Sequence, residues 1–316
     1  MTTAEERDGI HMGKFLVAGI VQRETIVQVD KIPIEYTGVA VKPNTIFIST
    51  GGDAYNESVA LKWLGNSVDF MSMIGKEDSL ELINPKDSEV TLVTDYVLPR
   101  LRDTPTAVVF YDKTRKQQIF EDAKEIRDVA YDEDLFRERA GRAEMLVVSN
   151  ANFCRPLIQI GKELRKPIAV NIREYRKDKV VYNEDFLKAA DILYVSDDHL
   201  VGEPYEFVKS LAVRYRPKIV LLGQGAAGLI LYDKEKNIIA HYDTVKTNEI
   251  VNTVGAGNAL FSCFLHFYNK THDSVYAVKN ALLFASYKIG FMGTSNGFMT
   301  EGQIGQWRNL IWRDGR

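Results

Sequence analysis

A chain of 316 residues, 45% hydrophobic and 26% charged, has material for one large domain or two unequal ones and for a substantial buried core. Its formal net charge of −3, spread along the chain, gives no electrostatic reason to expect nucleic acid or an anionic membrane as partner. Two cysteines, Cys154 and Cys263, exclude a disulfide framework; each is flanked by apolar residues and reads as an inert buried thiol in a reducing compartment. No stretch reaches the roughly 18 apolar residues of a membrane helix. Residues 1–13 are polar and acidic, lack the apolar run of a secretory signal, and are expected to form a disordered leader on a cytoplasmic protein.

Residues 15–20, FLVAGI, form a short apolar run that predicts a buried strand. Residues 26–32 alternate apolar and polar, as in a half-exposed strand. Residues 106–111, TAVVFY, repeat that exposed character and lead through the turn-like Asp112 and Lys113 to residues 118–120. Together these segments predict a small sheet apart from the main core, over about residues 26–50 and 104–122. From about residue 143 the pattern becomes βαβα. Strands are predicted at 145–148, 168–170, 192–195, 219–222 and 229–232, the first four separated by about 20 to 25 residues of helical pattern. The fold class is therefore α/β, with a doubly wound, mainly parallel sheet flanked by helices. Two closing helices are predicted, at 259–268 and 274–289, the second capped by Asp273. Ligands in such sheets bind where strands end and helices begin, so the loops there hold the candidates.

The first candidate is Asn252-Thr253-Val254-Gly255-Ala256-Gly257-Asn258, which runs into an apolar helix. Small residues before a helix let backbone N–H groups converge on an anion, and the helix dipole adds positive potential. A tight turn with two glycines uses the same residues. The second is Gly51-Gly52, entering a helix that Gly65 stops; Asn56 in its first turns can reach a ligand hydroxyl or simply serve the helix start. The third is Gly225-Ala226-Ala227-Gly228 between two strands, fit for a phosphorylated ligand or for a hairpin turn.

In their order and spacing these motifs, with residues 19–32, resemble the ribokinase-like (phosphofructokinase-B) family of carbohydrate kinases over about residues 14–300. The resemblance implies a β-sheet lid, transfer of the γ-phosphoryl of ATP to a substrate hydroxyl, and Mg²⁺ as partner. It implies that Gly255, Ala256 and Gly257 stabilise the transferring phosphoryl, and that Glu24, Gly51, Gly52 and Asn56 bind a sugar or nucleoside. It assigns Gly223, Gly225, Gly228, Asn252 and Thr253 to the nucleotide, and implies a homodimer through the lid.

Three positions depart from the family pattern, all on the phosphoryl side. Asn258 stands where the catalytic aspartate is expected; an amide orients a hydroxyl but accepts no proton at neutral pH. Ser196-Asp197-Asp198-His199 replaces an Asn and Glu that organise the metal. Asp197 or Asp198 offers oxygen ligands to Mg²⁺ there, and His199 reads as solvent-exposed. Gly223 replaces a Thr or Ser. These changes predict either a weakened kinase or a catalytically silent sugar- or nucleoside-binding homologue acting as sensor or partner subunit. A dinucleotide oxidoreductase is disfavoured, because residues 19–24, GIVQRE, lack a GxGxxG.

Overall fold

Phe15 and Val17 join one buried apolar cluster and Leu16 and Ala18 join another, so the first strand is covered on both faces, as in a doubly wound sheet. The computed structural model describes residues 12–86, 88–114, 116–173, 175–198 and 200–312. His199 and residues 1–11 of the expected leader lie outside the described residues.

In chain order come strands β1 (Lys14–Ala18), β2 (Gln22–Gln28) and β3 (Ile46–Gly51), helix α1 (Asp53–Trp63), and strands β4 (Ser67–Gly75), β5 (Val97–Leu101), β6 (Thr106–Tyr111) and β7 (Gln117–Asp122). Then follow α2 (Glu133–Arg142), β8 (Met145–Ser149), α3 (Arg155–Glu163), β9 (Ile168–Ile172), α4 (Val180–Ala189), β10 (Ile192–Ser196), α5 (Pro204–Tyr215) and β11 (Ile219–Gly223). The chain continues with β12 (Leu229–Asp233), β13 (Ile238–Tyr242), α6 (Ala256–Thr271), α7 (Ser274–Lys288) and α8 (Glu301–Ile311).

Nine strands form the main sheet in the order β13-β12-β11-β10-β9-β8-β1-β4-β5. From β11 to β5 neighbours run parallel, while β12 and β13 add antiparallel at one edge. The cluster containing Phe15 and Val17 packs α1, α6, α7 and α8 on one face; the cluster with Leu16 and Ala18 packs α2 to α5 on the other. The order reverses at β1, whose neighbours are β8 on one side and β4 on the other. A second sheet, β3-β2-β6-β7, stands apart as expected. Its inner face carries Ile26, Val109 and Tyr111, packed on Val254 in the turn before α6.

Boundaries moved where tertiary contacts decide them. The strand expected over 26–32 is Gln22–Gln28, pinned between β3 and β6, and no strand occupies residues 29–45. The first closing helix begins at Ala256 rather than 259, because Gly255 takes a left-handed backbone (φ 80°) that caps it. A third closing helix, α8, was not expected. Its only fully buried side chain is Ile304, too weak an apolar stripe to see in sequence, although Thr300 and Gln303 form a capping box that marks its start. Asp273 caps α7 as expected, accepting from the N–H groups of Val275 and Tyr276.

Candidate active site

The site lies at the reversal point, where β1 and β8 end. A Cβ on Gly19, just past β1, would collide with Ser149 at the end of β8 and lie 2.8 Å from Ala54 Cβ, so α1 starts hard against both strand ends. Gly52 precedes α1 with φ 100°, and a Cβ there would collide with the carbonyl of Ile20. Only glycine turns the chain so closely into the helix.

Asn56 is 3% exposed and its Oδ1 has no hydrogen-bond partner, a buried acceptor aimed at something the protein itself does not supply. Gly51 and Gly52 are drawn to the same place, but Glu24 turns inward. Its Oε1 accepts from Gln22 Nε2 at 2.9 Å and from the Gly52 N–H at 3.3 Å, and its Oε2 accepts from Thr294 Oγ1 at 3.0 Å. The carboxylate fills the space beside Gly51 that a side chain would need. Glu24 thus braces the entry to α1, and its carboxylate is directed at protein donors rather than outward.

A chain of amides and carboxylates joins α1 to α6. Asn171 of β9 donates through Nδ2 to Glu57 Oε1 at 2.7 Å and to Asn258 Oδ1 at 3.0 Å. Asn258 in turn donates through Nδ2 to Asp53 Oδ1 at 3.2 Å. Glu57 is fully buried, and burial pushes its carboxyl well above the usual carboxylate range. Glu57 Oε2, Asn171 Oδ1 and Ser149 Oγ are buried without partners. Four polar atoms without protein partners, from α1, β8 and β9, make this crevice the candidate ligand site.

The turn before α6 is held from several sides. Gly255 sits where a Cβ would lie 2.6 Å from the Thr294 carbonyl. Ala256, Gly257 and Asn258 form the first turn of a 16-residue helix that carries no acidic residue there. Its N-terminal N–H groups are therefore free of internal acid caps and suited to an anion. Asn252, 2% exposed, accepts the Val254 N–H at 2.8 Å, so it shapes the turn from within; Thr253 accepts from Gln117 of the small sheet. Lys288 at the end of α7 is fully buried, and its Nζ donates to the Val254 carbonyl and to the Gly293 carbonyl at 2.6 Å. Burial lowers this ammonium to about 7.

Gly225 and Gly228 stand in the turn joining β11 to β12, and the Gln224 N–H donates to the Gly228 carbonyl at 2.8 Å. Gly223 has a local cause: the Tyr194 hydroxyl would lie 2.5 Å from a Cβ there and 2.7 Å from one on Gly257. Tyr194 therefore occupies the space a threonine would use, and burial raises its phenol. Asp197 and Asp198 follow β10. Burial raises the Asp197 carboxyl, the charge of Asp198 adds to it, and Ser196 Oγ donates to Asp198 Oδ2 at 2.9 Å. Among the described residues no three His, Cys, Asp or Glu side chains converge as a ready metal cage.

Sequence reasoning passed over Asp53, Glu57, Asn171, Tyr194, Thr294 and Lys288. Asp53 and Glu57 had a signal, since with Asn56 they share one face of α1 at helical spacing. The others come from distant strands and turns and carry no local mark.

A mainly parallel, doubly wound sheet with a small second sheet closing on its switch point defines a ribokinase-like α/β protein. The chain belongs to the pfkB family of carbohydrate kinases, whose family model matches residues 12–301. A ribokinase of Dictyostelium discoideum is 22% identical over 320 aligned positions, covering 91% of this chain and 98% of that protein. A microbiome-derived acarbose kinase superposes with a TM-score of 0.80 at 19% identity, covering 94% of this chain and 99% of that one. An Arabidopsis thaliana ribokinase, solved with ribose and ATP, gives a TM-score of 0.74 at 16% identity, over 94% and 98% of the two chains. No described helix is long and apolar enough to cross a membrane.

Proposed function

We propose that this protein transfers the γ-phosphoryl group of ATP to a hydroxyl of a sugar or nucleoside bound at the mouth of α1. The observation that carries this reading is the pairing of two helix mouths. The α6 mouth, acid-free and backed by Gly255, Ala256 and Gly257, suits a phosphate; the α1 mouth offers the orphaned Asn56 Oδ1 to a hydroxyl. The Gly225–Ala227 turn with Gly223 and Gly228 would lie along the nucleotide, and Asn252 and Thr253 would hold the anion turn in shape. Glu24 would act on the sugar through Gly52 rather than by contact. Asp197 and Asp198, adjacent carboxyls of which Asp197 is raised by burial and by the charge of Asp198, suit a Mg²⁺ ion that keeps several waters and takes its remaining ligands from phosphate. When bound, Mg²⁺–ATP supplies the phosphoryl group and its charge neutralisation; this chain supplies position and donors.

Asn258 favours a second reading, a silent homologue that binds a sugar or nucleoside without turnover, because its amide is held on both sides and accepts no proton. In either case the outer face of the small sheet would pair two copies, and the protein would work in the cytoplasm. ADP release with D-ribose, D-fructose, D-gluconate and adenosine, checked by mass spectrometry of the product, separates the readings. A phosphorylated product is expected. Binding without ADP supports the silent homologue, and neither binding nor ADP sinks both.

A further inference from the structure

We infer that Asp53 is the general base of the phosphoryl transfer, so that the carboxylate expected on α6 is supplied from the first turn of α1. This rests on the kinase reading above. Asn258 occupies the expected base position, and its amide is oriented by its neighbours. Oδ1 faces the Asn171 Nδ2, so Nδ2 faces Asp53 Oδ1 at 3.2 Å. The carboxylate in contact with position 258 is therefore that of Asp53. It is half-buried at the crevice mouth, one helical turn from the unpartnered Asn56 Oδ1.

The other carboxylates nearby are otherwise engaged. Glu57 is sealed from solvent, and burial raises its carboxyl. Glu24 is held by three protein donors. Glu121 of β7 is 3.6 Å from Arg173. Asp197 and Asp198 follow β10, across Tyr194. The titratable groups that feel the Asp53 charge are Glu57 and Tyr194 in the body and Glu121 in the small sheet.

In the step itself the substrate O–H bond breaks and its proton moves to an Asp53 oxygen. The hydroxyl oxygen bonds the γ-phosphorus of ATP, and the bond to the β,γ-bridging oxygen breaks, leaving ADP and a phosphate monoester. Asp53 then returns the proton to water through its exposed side. Asn258 keeps the carboxylate pointed at the hydroxyl.

The test is an exchange of carboxylate and amide between the helices, using whichever of D-ribose, D-fructose, D-gluconate or adenosine the unmodified protein phosphorylates. Asp53→Asn should lower kcat about 10²–10⁴-fold, the usual worth of a positioned base, and abolish the acidic limb of the kcat–pH profile. The double variant Asp53→Asn/Asn258→Asp should recover at least about tenfold of that loss by returning a base to the crevice. Asn258→Asp alone should gain less than about tenfold, because two carboxylates at that spacing share one charge. Calorimetry without nucleotide gives a second readout. Sugar affinity of the unmodified protein should fall as the pH drops through the carboxylate range, and Asp53→Asn should flatten that dependence. Should Asp53→Asn keep full kcat, or lose kcat in a way that added Mg²⁺ alone restores, Asp53 is not the base although the kinase reading stands. Should the unmodified protein phosphorylate none of the four compounds, the kinase reading fails and the base assignment with it.

Discussion

Two helices meet in this crevice with opposite electrostatic dress. The first turn of α1 carries Asp53 and, a turn deeper, Glu57; the first turn of α6 carries only Ala256, Gly257 and Asn258. Each N-terminus presents free N–H groups and the positive end of a dipole. On α1 an internal carboxylate already answers that field, leaving a polar mouth suited to neutral hydroxyls. On α6 no acidic residue of its own first turn answers it. Under the proposed function, two similar glycine-led helix starts would become a sugar side and a phosphate side through which one carries acid.

The largest test of this division is Lys288→Met, which removes a buried donor to the turn before α6. It strands the buried Val254 and Gly293 carbonyls at about 1–3 kcal/mol each and loosens the anion turn. Nucleotide affinity should fall more than sugar affinity, as read by calorimetry with each ligand. The pH dependence follows from burial. The folded lysine releases its proton at about 7 and the unfolded one near its ordinary 10.5, so between these values the unfolded chain binds more protons. Stability of the unmodified protein should therefore rise with pH over that window, before the buried tyrosines reverse it, and urea midpoints from pH 7 to 9 should lose this slope in Lys288→Met. Equal losses of both ligands would mean that the two mouths are one unit.

A smaller effect is expected from Asn56→Ala on the α1 side. Sugar affinity should weaken by about 1–3 kcal/mol, the usual cost of losing a buried polar partner. The melting temperature should move little, because Oδ1 has no protein partner to strand. A drop in stability with unchanged sugar affinity would assign Asn56 to the fold instead.

The smallest effect belongs to a change that should touch neither mouth. Ile48, 75% exposed, shares the outer face of the small sheet with Ile46 and with Phe110 and Phe120, whose rings meet edge to face at 6.0 Å. If that face joins two copies, Ile48→Glu should turn a dimer into a monomer in sedimentation at micromolar concentration, with unfolding free energy within about 0.5 kcal/mol. An unmodified protein that sediments only as a monomer removes the dimer.

Much of this molecule was written locally. The buried runs at Leu16 and Val147, the period-two pattern of Val109 and the glycine starts of α1 and α6 each follow from neighbours in sequence, because strand alternation and helix capping act over a few residues. That is why the fold class, the small sheet and the two glycine-led turns could be read before any coordinates. The roles of individual side chains were decided elsewhere. Whether Glu24 faces a ligand or braces Gly52 depends on Thr294, 270 residues away. Gly223 is a glycine because Tyr194 reaches across from the neighbouring strand, and the carboxylate partner of Asn258 lies 205 positions earlier, on another helix. Hydrogen-bond direction and steric exclusion operate over a few ångströms of space, whatever the distance along the chain. The sequence could therefore say where a site would form, and only the packing of α1 against α6 brought a carboxylate beside the amide.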